Sequence, residues 1–557
     1  MLCCCLYVTT THAQEAISIY PQGYFRNPLD IPILLAGNFG ECRPNHFHSG
    51  LDIKTNGKEN LRVRAAAEGY VSRIKIEKGG FGHALYINHP NGFTTVYAHL
   101  NDFNPALQQY LRKQQYQLES WTVDLPLTPE QFPVRQGDFI AWSGNTGGST
   151  APHLHFEIRD TKTEHPLNGS LFGLEITDTQ APIPIDLALY DMDKGFYEQT
   201  PSYLPLIKKG TYYTVRDTPI TDGRNIGLAV QVNDFMNNSS NTLNFYQAKW
   251  WLDDSLQGSI LLDDIGYQET RYLHAYADYK SKVLKNAWYQ CLFKLPGNNL
   301  AIYPTLNHQS GVCALSPGQH QIKVVLTDAY NNSATILLPI IATGQKTSPQ
   351  SACAYTLAFR QVHELQPFPN LKLRLGNQVF YDDVCFEVQK TTDANRFSDT
   401  YQLAAPYIPA HTYFTIKIKP NKPVPFKLRS KLALIYQNGK AESGKAISWA
   451  EDMCEASVRQ WGTYYLRVDT TAPTITNLQK TPHLSTAKSM RFAVKEGTTS
   501  IRSFRAELDG KWLLFEPFGN VYVYAFDKHC GKGKHRLVLR VSDENQNERV
   551  LQYDFVR

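Results

Sequence analysis

The stretch Gly69-Tyr-Val-Ser-Arg-Ile-Lys-Ile-Glu-Lys-Gly-Gly-Phe-Gly-His-Ala-Leu-Tyr-Ile-Asn-His-Pro-Asn-Gly-Phe-Thr-Thr-Val-Tyr-Ala-His99 decides the fold of the N-terminal part of this chain. Residues 69–76, 83–89 and 93–99 alternate apolar with polar side chains, as half-buried strands do. Lys78-Gly-Gly-Phe-Gly82 and Pro90-Asn91-Gly92 supply the tight turns between them. Strands joined by turns this short pair antiparallel. Outward from there, Leu61-Arg-Val-Arg-Ala65 precedes the set and two further strands follow at 138–143 and 154–159, separated by the flexible Gly144-Asn-Thr-Gly147-Gly148-Ser-Thr150. An insertion at 101–133 interrupts the pattern. Asn104-Pro105 is placed to cap and begin a helix through Lys113, with Leu107, Tyr110 and Leu111 on one face. From Tyr116 onward it reads as strand or loop. The insertion directly follows His99, so it either walls a cleft or forms a peripheral excursion.

Imidazoles frame this sheet. Upstream stands Asn45-His46-Phe47-His48-Ser49-Gly50-Leu51-Asp52, downstream His153-Leu-His155-Phe-Glu157, and between them Tyr97-Ala-His99-Leu100. Several neutral imidazoles with one carboxylate suit a catalytic zinc, which takes three protein ligands and leaves a fourth position to water. His48 and Asp52 are four apart, and Gly50 between them favours a bend that lets both side chains converge. His153 and His155 are two apart, so on a strand they share one face; one can bind metal while the other handles protons. His46 is a spare imidazole able to compete as a ligand.

His48-x-Gly50-x-Asp52, Gly79-Gly-Phe-Gly82, His89-Pro-Asn-Gly92, Thr95-Val-Tyr-Ala-His99-Leu100, Gly137-Asp138, Ser143-Gly-Asn-Thr-Gly147 and His153-Leu-His155-Phe-Glu157 occur in the order that lysostaphin-type zinc metallopeptidases show. Over about residues 35 to 165 the chain resembles that family. The resemblance implies an antiparallel β-domain in which His48, Asp52 and His155 bind one zinc ion while His99 and His153 flank the reacting water. It also implies a substrate: peptide bonds in the stem peptides or cross-links of bacterial peptidoglycan. The alternative is a catalytically silent relative that binds peptidoglycan or activates another cell-wall hydrolase. In this sequence His83 stands where the family commonly has Asn, and is expected at the surface. His89 is expected to be structural.

The rest of the 557 residues points the same way. A net charge of +5 with 19% charged residues gives no broad basic surface, so nucleic acid is not an expected partner. Residues 1–13 hold a short apolar run and a small-x-small pattern, read as a signal peptide that exports the chain to the periplasm or cell envelope. No later apolar run reaches the roughly 18–20 residues of a membrane span. The peptidase domain is expected over 14–177. Beyond it, Asp178-Thr-Gln-Ala-Pro182 and Asp469-Thr-Thr-Ala-Pro473 repeat a boundary phrase. A second phrase, an apolar strand ending in Asp and then Asn, recurs at Asp234, Asp328 and Asp543. These phrases resemble turns of immunoglobulin-like sandwiches and give β-sandwiches at 178–345 and 469–557 with another β-rich domain at 350–468. Such domains suit positioning of the enzyme or an envelope protein partner. Seven cysteines lie beyond the leader, with Cys291–Cys313 and Cys385–Cys454 as possible pairs.

Overall fold

The computed structural model describes residues 20–345, 353 and 355–557. The signal peptide expected at 1–13 lies outside the described residues. Among the described residues strands hold 45% and helices 8%, so sheets build every unit. The first unit contains β1 (Leu35–Gly37), β2 (Leu51–Lys54), β3 (Arg62–Arg64), β4 (Gly69–Ile76), β5 (His83–Asn88), β6 (Phe93–Ala98), β7 (Leu100–Phe103), α1 (Pro105–Leu118), β8 (Val123–Pro126), β9 (Pro133–Val134), β10 (Phe139–Ser143), β11 (His153–Asp160) and β12 (Pro166–Leu167). The large sheet runs β1-β2-β11-β6-β5-β4-β8, with β12 beside β11 and β9 beside β4; β3-β10-β7 form a small second sheet.

Alternation on β11 positions the site. Leu154, Phe156 and Ile158 are fully buried and join Leu51, Ile53, Leu85, Ile87 and Tyr97 in the core. His153, His155, Glu157 and Arg159 therefore stand on the opposite face. Each large apolar side chain contributes about 1.5–3 kcal/mol by burial, and a slip of one residue would turn the whole set outward. The pairings His155 with Asp52 and His155 with Ala98 are held by that constraint.

The insertion differs from its expected form. Asn104 caps α1, its side chain accepting from the Leu107 amide at 3.0 Å, but the helix continues past Lys113 to Leu118 and takes in Tyr116. The extension is held by buried Gln115, whose side chain donates to the Trp121 carbonyl, and Glu119 ends the helix in a left-handed conformation, φ 46°. β8 joins the sheet at its far edge, four strands from β11. Tyr116 instead stacks on His529 of the last unit, ring centroids 3.7 Å apart. Arg112 with Glu516 and Arg505 with Glu119 add ion pairs across the same contact. The insertion thus ties the first unit to the last.

The later units share surfaces with the first. Strands between Ile183 and Ala342 form one twelve-stranded array. Two five-stranded sheets follow, covering 363–468, and two four-stranded sheets cover 474–556. Phe39 and Phe47 of the first unit are buried in the core common to the second and third, while Met236 and Leu243 of the second are buried in the core of the first.

The cysteine pairs also differ from expectation. Cys353 bonds Cys385, and Cys291, Cys313 and Cys454 are free and buried. Cys291 and Cys313 face Ala229 and Ile226 of the strand Asn225–Asn233. An offset of three residues is about 10 Å along a strand, beyond the roughly 7 Å that a disulfide spans. Cys385 and Cys454 belong to different sheets.

Candidate metal centre

Three donor atoms converge on one point. Asp52 on β2 and His155 on β11 are directly opposed cross-strand neighbours and so point to the same face. His155 Nδ1 lies 2.9 Å from Asp52 Oδ1. His48 Nε2 lies 3.0 Å from that oxygen and 3.1 Å from His155 Nδ1. All three residues are buried. The His48 loop is a tight reversal in which the His48 amide donates to the Glu41 carbonyl and Gly40 donates back to His48. Gly50 lies in the expected bend and has a second role. A Cβ there would sit 2.5 Å from the Phe156 carbonyl oxygen and 2.8 Å from Glu157 Cγ, so glycine is needed for closeness to β11.

Each ring is fixed from behind. His48 Nδ1–H donates to the Asn38 carbonyl, 2.8 Å, and His155 Nε2 meets Glu157 Oε1 at 2.8 Å. Glu157 is held by Ser49 Oγ at 2.5 Å, Tyr267 OH at 2.7 Å and Arg159 Nε at 2.6 Å. Arg43 lies 3.2 Å from the second oxygen of Asp52. Such partners set the orientation and basicity of ligating side chains. Burial alone would raise the Asp52 carboxyl, but the charge of His48 and hydrogen bonds from His153, His155 and His48 hold it well below the usual carboxylate range. Burial would lower His155, yet its bonds to Asp52 and Glu157 push it up to about 9.

Two more imidazoles border the donors. His153 Nδ1–H donates to the Ala151 carbonyl at 2.8 Å and leaves Nε2 facing Asp52 Oδ1 at 3.3 Å. His99 sits between β6 and β7 with φ 59°, a conformation uncommon for a residue with a Cβ. Regular alternation would send its side chain to the face opposite Ala98; the left-handed residue breaks that alternation and brings its ring 4.7 Å from that of His153. His99 Nδ1–H donates to the Thr146 carbonyl at 2.8 Å. Burial, with His155 and His153 beside it, pulls its pKa down to about 3. The Thr146 loop reaches this position because Gly82 and Gly147 meet backbone to backbone; a Cβ on Gly82 would lie 2.5 Å from the Gly147 amide nitrogen.

The other histidines are elsewhere. His46 is exposed and outside the three-donor group. His83, expected at the surface, is buried beneath the insertion, with Nδ1 2.8 Å from the Asn101 carbonyl and its ring near Trp121. His89 bonds the Glu68 carbonyl and Thr95 Oγ1 at a hairpin end. The face that carries His155 continues along β11 into a cavity of about 570 Å³ bordered by Arg159, Thr94, Tyr86 and Arg73.

Tyr267 and the clamp on the His48 loop come from the second unit, and neither was legible beforehand. Asn38 and Asn244 exchange two hydrogen bonds, the Phe47 amide donates to Thr270 Oγ1 at 2.8 Å, and His274 Nε2–H donates to the Pro44 carbonyl. Tyr267→Phe removes one of the hydrogen bonds that hold Glu157. Its expected effect is metal affinity lower by about tenfold, the small end of the range for outer-shell changes, with the fold intact. Competition with a chromogenic chelator measures it.

Residues 46–116 match the family described as peptidase family M23, and residues 354–469 match the Zu5-like domain. The DD-carboxypeptidase/endopeptidase Mpg of Neisseria meningitidis is 37% identical over 132 residues, 24% of this chain and 24% of that protein. Lysostaphin of Staphylococcus simulans is 27% identical over 150 residues, 27% of this chain and 23% of the relative. The chain thus spans about a quarter of the length of these curated relatives. Among solved structures, the catalytic domain of the prophage-encoded M23 protein EnpA from Enterococcus faecalis aligns at 20% identity over 25% of this chain and 88% of that one, with a TM-score of 0.19. The motif order, the family match over residues 46–116 and the Neisseria and Staphylococcus relatives together place a peptidase family M23 domain of the lysostaphin type in the first unit.

Proposed function

We propose that this chain is a zinc-dependent endopeptidase that hydrolyses peptide bonds in the stem peptides or cross-links of bacterial peptidoglycan. The observation that carries this reading is the triangle of His48 Nε2, Asp52 Oδ1 and His155 Nδ1, with sides of 2.9–3.1 Å, bordered by two further imidazoles. Two nitrogens and one carboxylate oxygen are a zinc donor set, and donors about 2.0–2.1 Å from a tetrahedral ion lie about 3.3 Å apart, close to the spacing present. His48, Asp52 and His155 would hold one ion per chain. Zinc supplies Lewis acidity there, polarising a carbonyl and making water acidic enough to yield hydroxide near neutral pH.

The chain's own groups do the remaining work. His153 and His99 each donate Nδ1–H to a carbonyl, so Nε2 is the atom of each ring that exchanges protons; on His153 it donates to Asp52 in the metal-free site and would carry a lone pair once an ion takes that oxygen. One of the two rings would take the proton from the attacking water, and the other would hydrogen-bond the oxyanion or supply a proton to the departing amine. The Cys353–Cys385 bond supports export to an oxidising compartment, the periplasm or cell envelope, and among the described residues no helix is long and apolar enough to cross a membrane.

Elemental analysis of the purified chain, paired with release of new amino groups from purified peptidoglycan, tests the proposal. One zinc per chain and steady release are expected. Metal-free protein that releases none would favour the silent peptidoglycan-binding alternative.

A further inference from the structure

The two phrases that repeat in the sequence meet twice in space. In the second unit Asp178 lies just ahead of the strand Ile183–Asp191, Asp234 directly follows Asn225–Asn233, and Asp328 directly follows Gly318–Thr327. Each contributes a carboxylate oxygen, and the three oxygens lie within 4.8 Å of one another. In the last unit Asp469 lies ahead of Thr474–Asn477, Glu496 follows Ser489–Lys495 and Asp543 ends Lys534–Asp543, and their oxygens converge in the same way. The scaffolds also correspond. Asn332 Nδ2 donates to Asp328 Oδ2 at 2.7 Å and to the Asp178 carbonyl at 3.3 Å; Asn547 Nδ2 donates to Asp543 Oδ2 at 2.7 Å and to the Asp469 carbonyl at 3.1 Å.

These contacts aim the acids but leave oxygens without partners. Asp234 is 2% exposed and Asp469 is 3% exposed; Oδ1 of the first and Oδ2 of the second have no hydrogen-bond partner, and neither has Asp178 Oδ2. Buried carboxylates are normally paired with a cation or bound to a metal. The side-chain donors are all oxygens, which selects a hard cation over zinc. Calcium accepts six to eight oxygens at roughly 2.3–2.6 Å in flexible geometry, so two donors on one ion lie at most about 5.2 Å apart, consistent with the observed spacing.

We propose that both acidic clusters, Asp178–Asp234–Asp328 and Asp469–Glu496–Asp543, are calcium sites that lock the joints between successive units. The loop leaving Asp234 sends Met236 into the core of the first unit, where the Leu35 amide meets Met236 Sδ and Ser239 Oγ donates to the Leu35 carbonyl; Leu35 is on β1, which pairs with the strand that carries Asp52. At the second joint the Asp469 amide donates to the Lys431 carbonyl, Asn545 Nδ2 to the Leu432 carbonyl, and the Gly444 amide to the Thr498 carbonyl. An ion at either cluster therefore fixes one unit against its predecessor.

The test uses the full chain, freed of calcium by dialysis and titrated with CaCl₂ in a calorimeter, with melting followed in parallel. Two calcium ions per chain and a melting temperature that rises with calcium are the expected results. Asp234→Asn and Asp543→Asn are each expected to remove one ion, and the double variant both. The proposal is overturned if the unaltered chain binds fewer than two ions at about 10 mM calcium, a limit above the roughly 0.1–1 mM typical of extracellular calcium modules. It is equally overturned if folded variants still bind two. The unaltered-chain stoichiometry decides the matter even where a variant fails to fold.

Discussion

Asp52→Ala is expected to lose zinc and with it all measurable hydrolysis. Asp52 Oδ1 is the atom at which His48, His155 and His153 all converge, at 3.0, 2.9 and 3.3 Å. Its second oxygen lies 3.2 Å from Arg43. Removing it deletes one of three protein donors and leaves the remaining imidazoles beside a guanidinium with no carboxylate between them. Outer-shell changes already cost roughly 10–100-fold in metal affinity, so loss of a donor itself exceeds that range. Asp52→Asn keeps the shape and removes the charge, and separates loss of metal from loss of fold. Zinc per chain after dialysis, with a melting curve of the metal-free form, checks both variants. His46→Ala is the control: the side chain is exposed and outside the donor group, so zinc content and turnover stay unchanged. A zinc-loaded, active Asp52→Ala would remove Asp52 from the ligand set.

The sheet and the shared face of His153 and His155 were legible because both are written in local pattern. Alternation over 69–99 and the glycine turns predict β4 to β6, and the two-residue spacing of His153 and His155 predicts their common face, which β11 shows. The conformation of His99 was not legible, because nothing in Tyr97-Ala-His-Leu100 announces a left-handed residue; its position follows from the Thr146 loop lodging against Gly82. The role of Tyr267 was hidden for a different reason. It stands 110 residues from Glu157, and a lone tyrosine in a turn carries no signal of the partner that it meets. The same holds for Tyr116 and His529. The recurrent Asp phrases were visible as turns, but Asp234 proved to be equivalent to Glu496 rather than to Asp328 and Asp543, a distinction that only strand order reveals. Long-range side-chain contacts between units therefore account for most of what the sequence left unread.

His153→Ala and His99→Ala are expected to keep zinc and lose most turnover. Neither ring belongs to the triangle of donors, and both are fixed through Nδ1 by backbone carbonyls, Ala151 for His153 and Thr146 for His99. Replacing either removes an Nε2 beside the reacting water without touching His48, Asp52 or His155. A positioned general acid or base contributes about 10²–10⁴-fold, so kcat is expected to fall by that factor while zinc content remains one per chain. The two variants differ in stability. His99 is buried beside the Thr146 loop, so its loss leaves a carbonyl without a donor and a space in the wall; an unsatisfied buried group costs about 1–3 kcal/mol. His153 is more exposed, and its loss costs less. Because the two rings pack at 4.7 Å and serve the same step, the double variant is expected to lose less than the product of the single losses, as groups that work as a unit do. Rates of amino-group release by the four proteins, each checked for zinc, give the comparison. Full hydrolysis by either single variant would remove that histidine from the proton path, and strictly multiplicative losses would mean that the two rings act in separate steps.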